Sequence, residues 1–335
     1  MKQKPKEEKE MHCFHVKERF EMEKKIKIER FKENPLLIPN LNIHWMSLNV
    51  FNCGVIIGDD GVYRMLIRGA WLPGQMGSDL GLALSSDGIK WNPLMNPVLR
   101  SGFNKHCMVG IEDPRIVKWI DGYYYVITTV CNVDRGRVGI WKTVNFLDYE
   151  WVGIPFNQED KDASIFPDPI NGCVYLLHRK HPHIWISRTK DFTLKRGWQD
   201  SHVLSNKDDW YKSPVSGKVP DRIGIAGPPI KTPKGWLVIT HIVHSEGENR
   251  FNRAYSLSFM VLELNDPTKI KYIHSDPILW PEKSYEIVGS VPIVCFSNAI
   301  VDPDPAGDKL YIYYGGADTV ICGGTMYKKD LPMCY

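Results

Sequence analysis

The sequence has no run of about 18 apolar residues, the length a membrane-spanning helix requires. Its eight cysteines (13, 53, 107, 131, 173, 295, 322 and 334) form no C-x-x-C pair, so neither a disulfide framework nor a zinc knuckle is expected. Positive charge is barely in excess: 42 Lys and Arg against 39 Asp and Glu give +3. A duplex-DNA binder would concentrate a basic surplus, so neither nucleic acid nor membrane is an expected partner. The phosphate-cradling loops G-x-x-x-x-G-K-[ST] and G-x-G-x-x-G do not occur. Neither does the H-E-x-x-H metal motif or the G-x-S-x-G nucleophile turn. Nucleotide, zinc and serine-hydrolase chemistry therefore lack sequence support. The first residues are charged, without the apolar stretch of a secretory signal, and a cytoplasmic protein is expected.

What is abundant points to short strands. In 335 residues there are 11 Trp, 15 Tyr, 12 Phe, 27 Gly and 23 Pro, a mixture that suits aromatic-rich strands joined by turns. Residues 1–33 differ: eleven Lys or Arg and eight Glu occur there, alternating in sign from Val16 to Lys32. This stretch reads as a charged, helical N-terminal extension. It could be a solvated helix, an arm through which copies of the chain associate, or a tail for polyanions. Residues 34–335 read as one catalytic domain, because helical periodicity ends at Asn34.

That domain repeats. A turn followed by an aromatic-rich strand occurs five times: Asp60–Arg68, Asp121–Thr129, Asn171–Arg179, Lys234–His241 and Gly307–Gly315. A short apolar segment precedes each turn: Val50–Ile56, Ile111–Val117, Ser164–Ile170, Gly224–Ile230 and Cys295–Val301. Another strand-like run follows each: Leu80–Ser85, Val138–Thr143, Ile184–Thr189, Leu257–Leu264 and Val320–Met326. One such unit cannot bury both faces of its small sheet. Five of them fit an all-β, five-bladed β-propeller, in which neighbouring blades stack around an axis.

A propeller places its site on the inner strands and on the loops at one end of the axis. The corresponding positions carry Asn52 and Arg68, then Glu112, Asp113, Arg115 and Asn132, then Asp162, His178 and Arg179, then Arg222 and His241, and finally Asn298 and Asp318. A purely structural repeat would fill them with apolar residues. Carboxylates and amides there suit the hydroxyls of a sugar, so Asn52, Arg68, Glu112, Arg115 and Asp162 are candidate substrate contacts. Asp113, held extended by Pro114, is the candidate catalytic carboxylate. Arg179, Arg222 and His241, with Arg135 and Arg137 nearby, suit an inorganic anion. His178, His181 and His183 lack a carboxylate partner in the strand pattern and read as loop or site histidines rather than metal ligands, so no metal and no cofactor are expected.

Val50-Phe51-Asn52, Arg68, Gly110–Arg115, Lys161-Asp162, Leu177-His178-Arg179, Gly224–Ile230, Tyr285-Glu286 and Tyr313–Asp318 together resemble glycoside hydrolase family 130, the β-mannoside phosphorylases and related β-mannosidases. The resemblance runs from about Asn34 to Leu331. It implies a five-bladed propeller in which Asp113 is the general acid, protonating the leaving oxygen through a mannose hydroxyl. It implies that Asp318 binds the mannose, and that Arg222 and His241 hold inorganic phosphate as the co-substrate. The product implied is mannose 1-phosphate, formed with inversion. The sequence departs from the family where Thr240-His241-Ile242 replaces Tyr-His-Gly, and where the loop His244–Arg253 carries Glu246 and Glu248. Retention of Arg179, Arg222 and His241 favours phosphorolysis. An inverting β-mannosidase using Glu246 or Glu248 as base is the alternative, and a non-catalytic sugar-binding propeller would require Asp113 to be dispensable.

Overall fold

The computed structural model describes residues 26–73, 77–192, 197–247 and 252–335. Five antiparallel sheets account for nearly all its regular structure, and each sheet is one blade. The inner strands are Asn49–Ile57, Gly110–Lys118, Lys161–Ile165, Arg222–Ile225 and Cys295–Val301. The strands beside them are Tyr63–Ala70, Tyr124–Cys131, Val174–Lys180, Gly235–Ser245 and Lys309–Gly316, one for each turn-plus-strand repeat in the sequence. Gly61, Gly122 and Gly172 sit in three of those turns at φ of 74°, 86° and 70°, a region that a side chain would strain. Third and outer strands complete each blade. The fourth blade gains Ile230–Thr232, which pairs with the same neighbour as Arg222–Ile225.

The second strands read as unbroken apolar runs because both their faces are buried. Leu66 faces the second blade, while Met65 and Ile67 face the fifth. Val126 packs toward the first blade, and Tyr125 and Ile127 toward the third. In the fourth blade Trp236 and Val238 face the third, and Leu237 and Ile239 the fifth. Each of the five apolar clusters thus lies between two neighbouring blades. The seven described cysteines are free thiols.

The expected helical extension needs correction where it is described. Residues 26–33 contain no helix, and Glu29–Arg30 is the outer strand of the fifth blade, paired with Val320–Tyr327. Ile26 and Ile28 are buried between the fourth and fifth blades, while Lys27 and Glu29 are exposed. That is the period of a strand. The rest of the expected extension, residues 1–25, lies outside the described residues. Arg30 fastens the strand to the short helix Ser284–Ile287: its Nε and one terminal nitrogen donate to Glu286 at 2.7 and 2.8 Å.

Candidate active site

Four of the five inner strands share a defect that builds the site. Their pairing with the second strand shifts register between Phe51 and Gly54, between Glu112 and Arg115, between Lys161 and Ser164, and between Ser297 and Ala299. Such bulges redirect side chains, and non-glycine residues seldom take positive φ unless they are Asn or Asp. Asn52, Asp113 and Asp162 stand in the first three bulges at φ of 46°, 54° and 49°, so Asp113 is left-handed at the bulge rather than extended as expected from Pro114. Asp318, in the hairpin after Lys309–Gly316, has φ of 48°. The strain is local and recurs where the polar side chains meet, as at functional sites.

The cleft has a volume of about 270 Å³. One part of its lining comes from Asn52, Arg68, Glu112, Asp113 and Asp318, on the first, second and fifth blades. Asp113 is buried, and its Oδ1 accepts from Asn52 Nδ2 and from Arg68 Nη1, both at 3.0 Å. Among the described residues Oδ2 takes no protein donor, so a ligand hydroxyl has one carboxylate oxygen to meet. Arg68 also pairs with Glu112 at 2.8 Å, donates to Ser78 Oγ at 3.1 Å and lies 4.5 Å from the centre of the Phe51 ring. Burial works against the Arg68 charge, but Glu112, Asp113 and Asp318 outweigh it and raise its pKa. Asn298, buried below, donates to the Asn52 carbonyl at 3.1 Å.

The other part comes from the third and fourth blades: Lys161, Asp162, Arg179, Arg222 and Tyr255, with Val291, Val294 and Phe296 along the fifth-blade side. Lys161 and Arg179 face each other across the third blade. Like charges directly opposite are destabilising, and a pair of this kind suits an anionic ligand. Arg222 donates to the Tyr255 hydroxyl and lies 5.5 Å from that ring. Neither Lys161 nor Arg222 has a carboxylate partner among the described residues. Arg179 does: its Nε is 3.0 Å from Asp162 Oδ2. Burial alone would raise the Asp162 carboxyl, but Arg179, His241 and Arg115 hold it well below the usual range.

Two expected contacts lie beneath the cleft instead. Arg115 follows the bulge, so its side chain turns away from the opening. It is fully buried and donates to the backbone carbonyls of Ala226, Asp113 and Ile225 at 2.6, 3.1 and 3.0 Å. It is a strut between blades rather than a substrate contact. His241 is likewise buried, 3.1 Å from Asp162 Oδ2 and against the Phe296 ring. Burial pushes its pKa down despite Asp162. It stands behind Asp162 and does not line the cleft. Gly224 leaves the room for this contact: a Cβ there would stand 2.5 Å from the His241 ring and 2.6 Å from Asp162 Oδ2.

Asn132 points elsewhere, to the Lys105 carbonyl at 3.0 Å, and His178 is buried. Arg135 and Arg137 are paired with Asp134. Glu246 accepts from Ser213 at 2.6 Å and does not line the cleft; Glu248 lies outside the described residues. Among the described residues no group of three His, Cys, Asp or Glu could hold a metal ion. Lys161 was absent from the candidate contacts, although its position opposite Arg179 was the available signal. Tyr255 and Phe296 carried no signal that separates a cleft wall from a core.

Residues 17–333 match the profile of a glycoside hydrolase family described as "beta-1,4-mannooligosaccharide phosphorylase". The chain belongs to glycoside hydrolase family 130. It is 37% identical over 316 residues to a 1,2-beta-oligomannan phosphorylase of Thermoanaerobacter sp. strain X514, covering 91% of this chain and 99% of that one. It is 30% identical over 262 residues to a beta-1,4-mannooligosaccharide phosphorylase of Ruminococcus albus, covering 72% of each. The solved beta-1,2-mannobiose phosphorylase of Listeria innocua, in complex with beta-1,2-mannobiose, superposes with a TM-score of 0.74 at 26% identity, covering 91% of this chain and 98% of that chain.

Proposed function

We propose that this family 130 enzyme is an inverting β-mannoside phosphorylase acting on β-1,2-linked mannosides. The observation that carries the reading is the facing pair Lys161 and Arg179, joined by Arg222, in a cleft that also holds Asp113. Phosphate set among these cations is already an anionic nucleophile and needs no general base. Its oxygen forms a bond to the anomeric carbon as the bond to the leaving oxygen breaks. Asp113 supplies the proton to that oxygen through a sugar hydroxyl, and mannose 1-phosphate of inverted configuration results. Asn52 and Arg68 hold Oδ1 of Asp113, so that Oδ2 can address the sugar. Asp318 and Glu112 lie beside it as acceptors for hydroxyls. The β-1,2 linkage rests on the relatives: the 37% match spans nearly both chains, whereas the β-1,4 relative matches less of each.

Water as nucleophile would need a base carboxylate about 6.5–9.5 Å from the acid. Of the carboxylates in the cleft besides Asp113, Asp162 is held by Arg179 and Glu112 by Arg68, and Asp318 also acts on the Arg68 charge. The test is to incubate β-1,2- and β-1,4-mannobiose with and without inorganic phosphate and follow products by ³¹P spectroscopy. The reading expects mannose 1-phosphate from the β-1,2 substrate and no turnover without phosphate. Free mannose at a phosphate-independent rate would overturn it.

A further inference from the structure

Behind the anion side of the cleft lies a buried group that the reaction does not use. Asp160 Oδ2 stands 2.7 Å from His178 Nδ1, and His178 Nε2 stands 2.9 Å from Ser187 Oγ. All three side chains are 1% exposed or less. The order carboxylate, imidazole, hydroxyl is that of a serine nucleophile and its base, but a nucleophile must reach a substrate, and Ser187 reaches none. The geometry fits an imidazole that donates from Nδ1 to the carboxylate and accepts at Nε2 from the hydroxyl. The other Asp160 oxygen is buried without a hydrogen bond. A half-satisfied buried carboxylate is a poor device for stability and calls for another explanation.

The explanation is positional. Asp160 immediately precedes Lys161, and His178 immediately precedes Arg179. Successive side chains on a strand point to opposite faces, so Arg179 reaches the cleft while His178 turns into the protein. Register places the two cations side by side on one face of the blade, where Asp162 pairs with Arg179 and leaves Lys161 without a carboxylate among the described residues. They cannot splay without breaking the 2.7 Å contact between the residues just before them. Phe156 closes the group, stacked 4.6 Å from the His178 ring, and the Asp160 amide is tied to the Gly136 carbonyl of the second blade at 3.2 Å.

We propose that Asp160, His178 and Ser187 form a buried bracket that fixes the spacing of Lys161 and Arg179 and thereby sets affinity for phosphate; this rests on the phosphorylase reading above. The three are positioning residues and touch no substrate. The test titrates inorganic phosphate calorimetrically into the wild type, His178→Leu, His178→Asn and Ser187→Ala, with thermal melts to establish folding. KM for phosphate and for mannoside is measured on the same samples. His178→Leu is expected to weaken phosphate on the order of tenfold, with the mannoside KM within about twofold. His178→Asn keeps a donor to Asp160 and should recover most of the loss. Ser187→Ala removes one hydrogen bond and should cost about threefold.

Phosphate binding unchanged in folded His178→Leu overturns the bracket and leaves the enzyme assignment standing. Equal weakening of phosphate and mannoside also overturns it, because that is general loosening. If His178→Leu does not fold, Ser187→Ala decides, and unchanged phosphate affinity there is fatal to the proposal. A wild type that takes no phosphate contradicts the phosphorylase assignment itself, and the bracket falls with it.

Discussion

The two sides of the cleft are built on different electrostatic plans. Where the first, second and fifth blades meet, Arg68 is held by Glu112 and Asp113, and Asp113 by Asn52 and Arg68; with Asp318 the carboxylates outnumber the one cation, so this side is rich in acceptors and its cation is partnered before any ligand arrives. On the third and fourth blades Lys161, Arg179 and Arg222 stand against Asp162, the one carboxylate among the described residues lining that side. Carboxylate acceptors around a partnered cation suit a neutral polyhydroxyl ligand, whose hydroxyls donate to them without bringing charge. An unmatched set of cations suits an anion, which supplies the missing partner. The same propeller strand ends thus serve two ligand classes, and the difference lies in which charges the protein leaves unpaired.

The comparison breaks most sharply at Asp113. Asp113→Asn keeps the contacts of the bulge but removes the acid. Its turnover should fall about 10²- to 10⁴-fold, measured as kcat in a variant whose melting curve shows that it folds. Activity near the wild-type level would detach the chemistry from the acceptor-rich side altogether.

Gly224→Ala sharpens the other side. The added Cβ must displace the His241 ring or the Asp162 carboxylate, and overpacking of this kind typically costs about 1–3 kcal/mol. A lowered Tm together with a raised phosphate KM is expected. An unchanged phosphate KM in a folded variant would show that Asp162 does not set the anion site.

A third expectation concerns acid. Burial lowers the pKa values of His241, His244 and His274 in the folded protein, whereas in the unfolded chain they return to about 6.5. The unfolded state then binds more protons as pH falls through that value, so stability present above it is lost progressively in acid. Tm should drop between about pH 7 and pH 5. A flat profile would mean that these histidines titrate in the fold as they do in the unfolded chain. The smallest effect is expected of Glu246→Gln, since that side chain is tied to Ser213 away from the cleft; kcat should stay within about twofold. A large loss would revive hydrolysis.

The blades were legible because each second strand is buried on both sides and therefore reads as an aromatic, apolar run after a turn. The bulges were not. Asn and Asp at strand starts are compatible with positive φ, but nothing in the sequence marks the extra residue that shifts the pairing. That shift decides which side chains form the wall and which the floor. Arg115, two residues after Asp113, was expected beside it and lies underneath, whereas Lys161, next to Asp162, faces the cleft. His241 looked like a cation at a strand end, and only its burial shows that it stands behind Asp162. The strand Glu29–Arg30 and the extended run leading into it were obscured by charge: Ile26, Ile28 and Arg30 repeat every second residue, a strand signal masked by the alternating signs around them.

The separation of the two sides is tested most directly by Arg222→Ala, with KM measured for phosphate and for the mannoside in one preparation. Loss of one charge-assisted contact in a buried site costs about 1.5–3 kcal/mol, so the phosphate KM should rise roughly ten- to a hundredfold. The mannoside KM should stay within about twofold. A mannoside KM that rises as much as the phosphate KM, or a phosphate KM that does not move, would contradict the account.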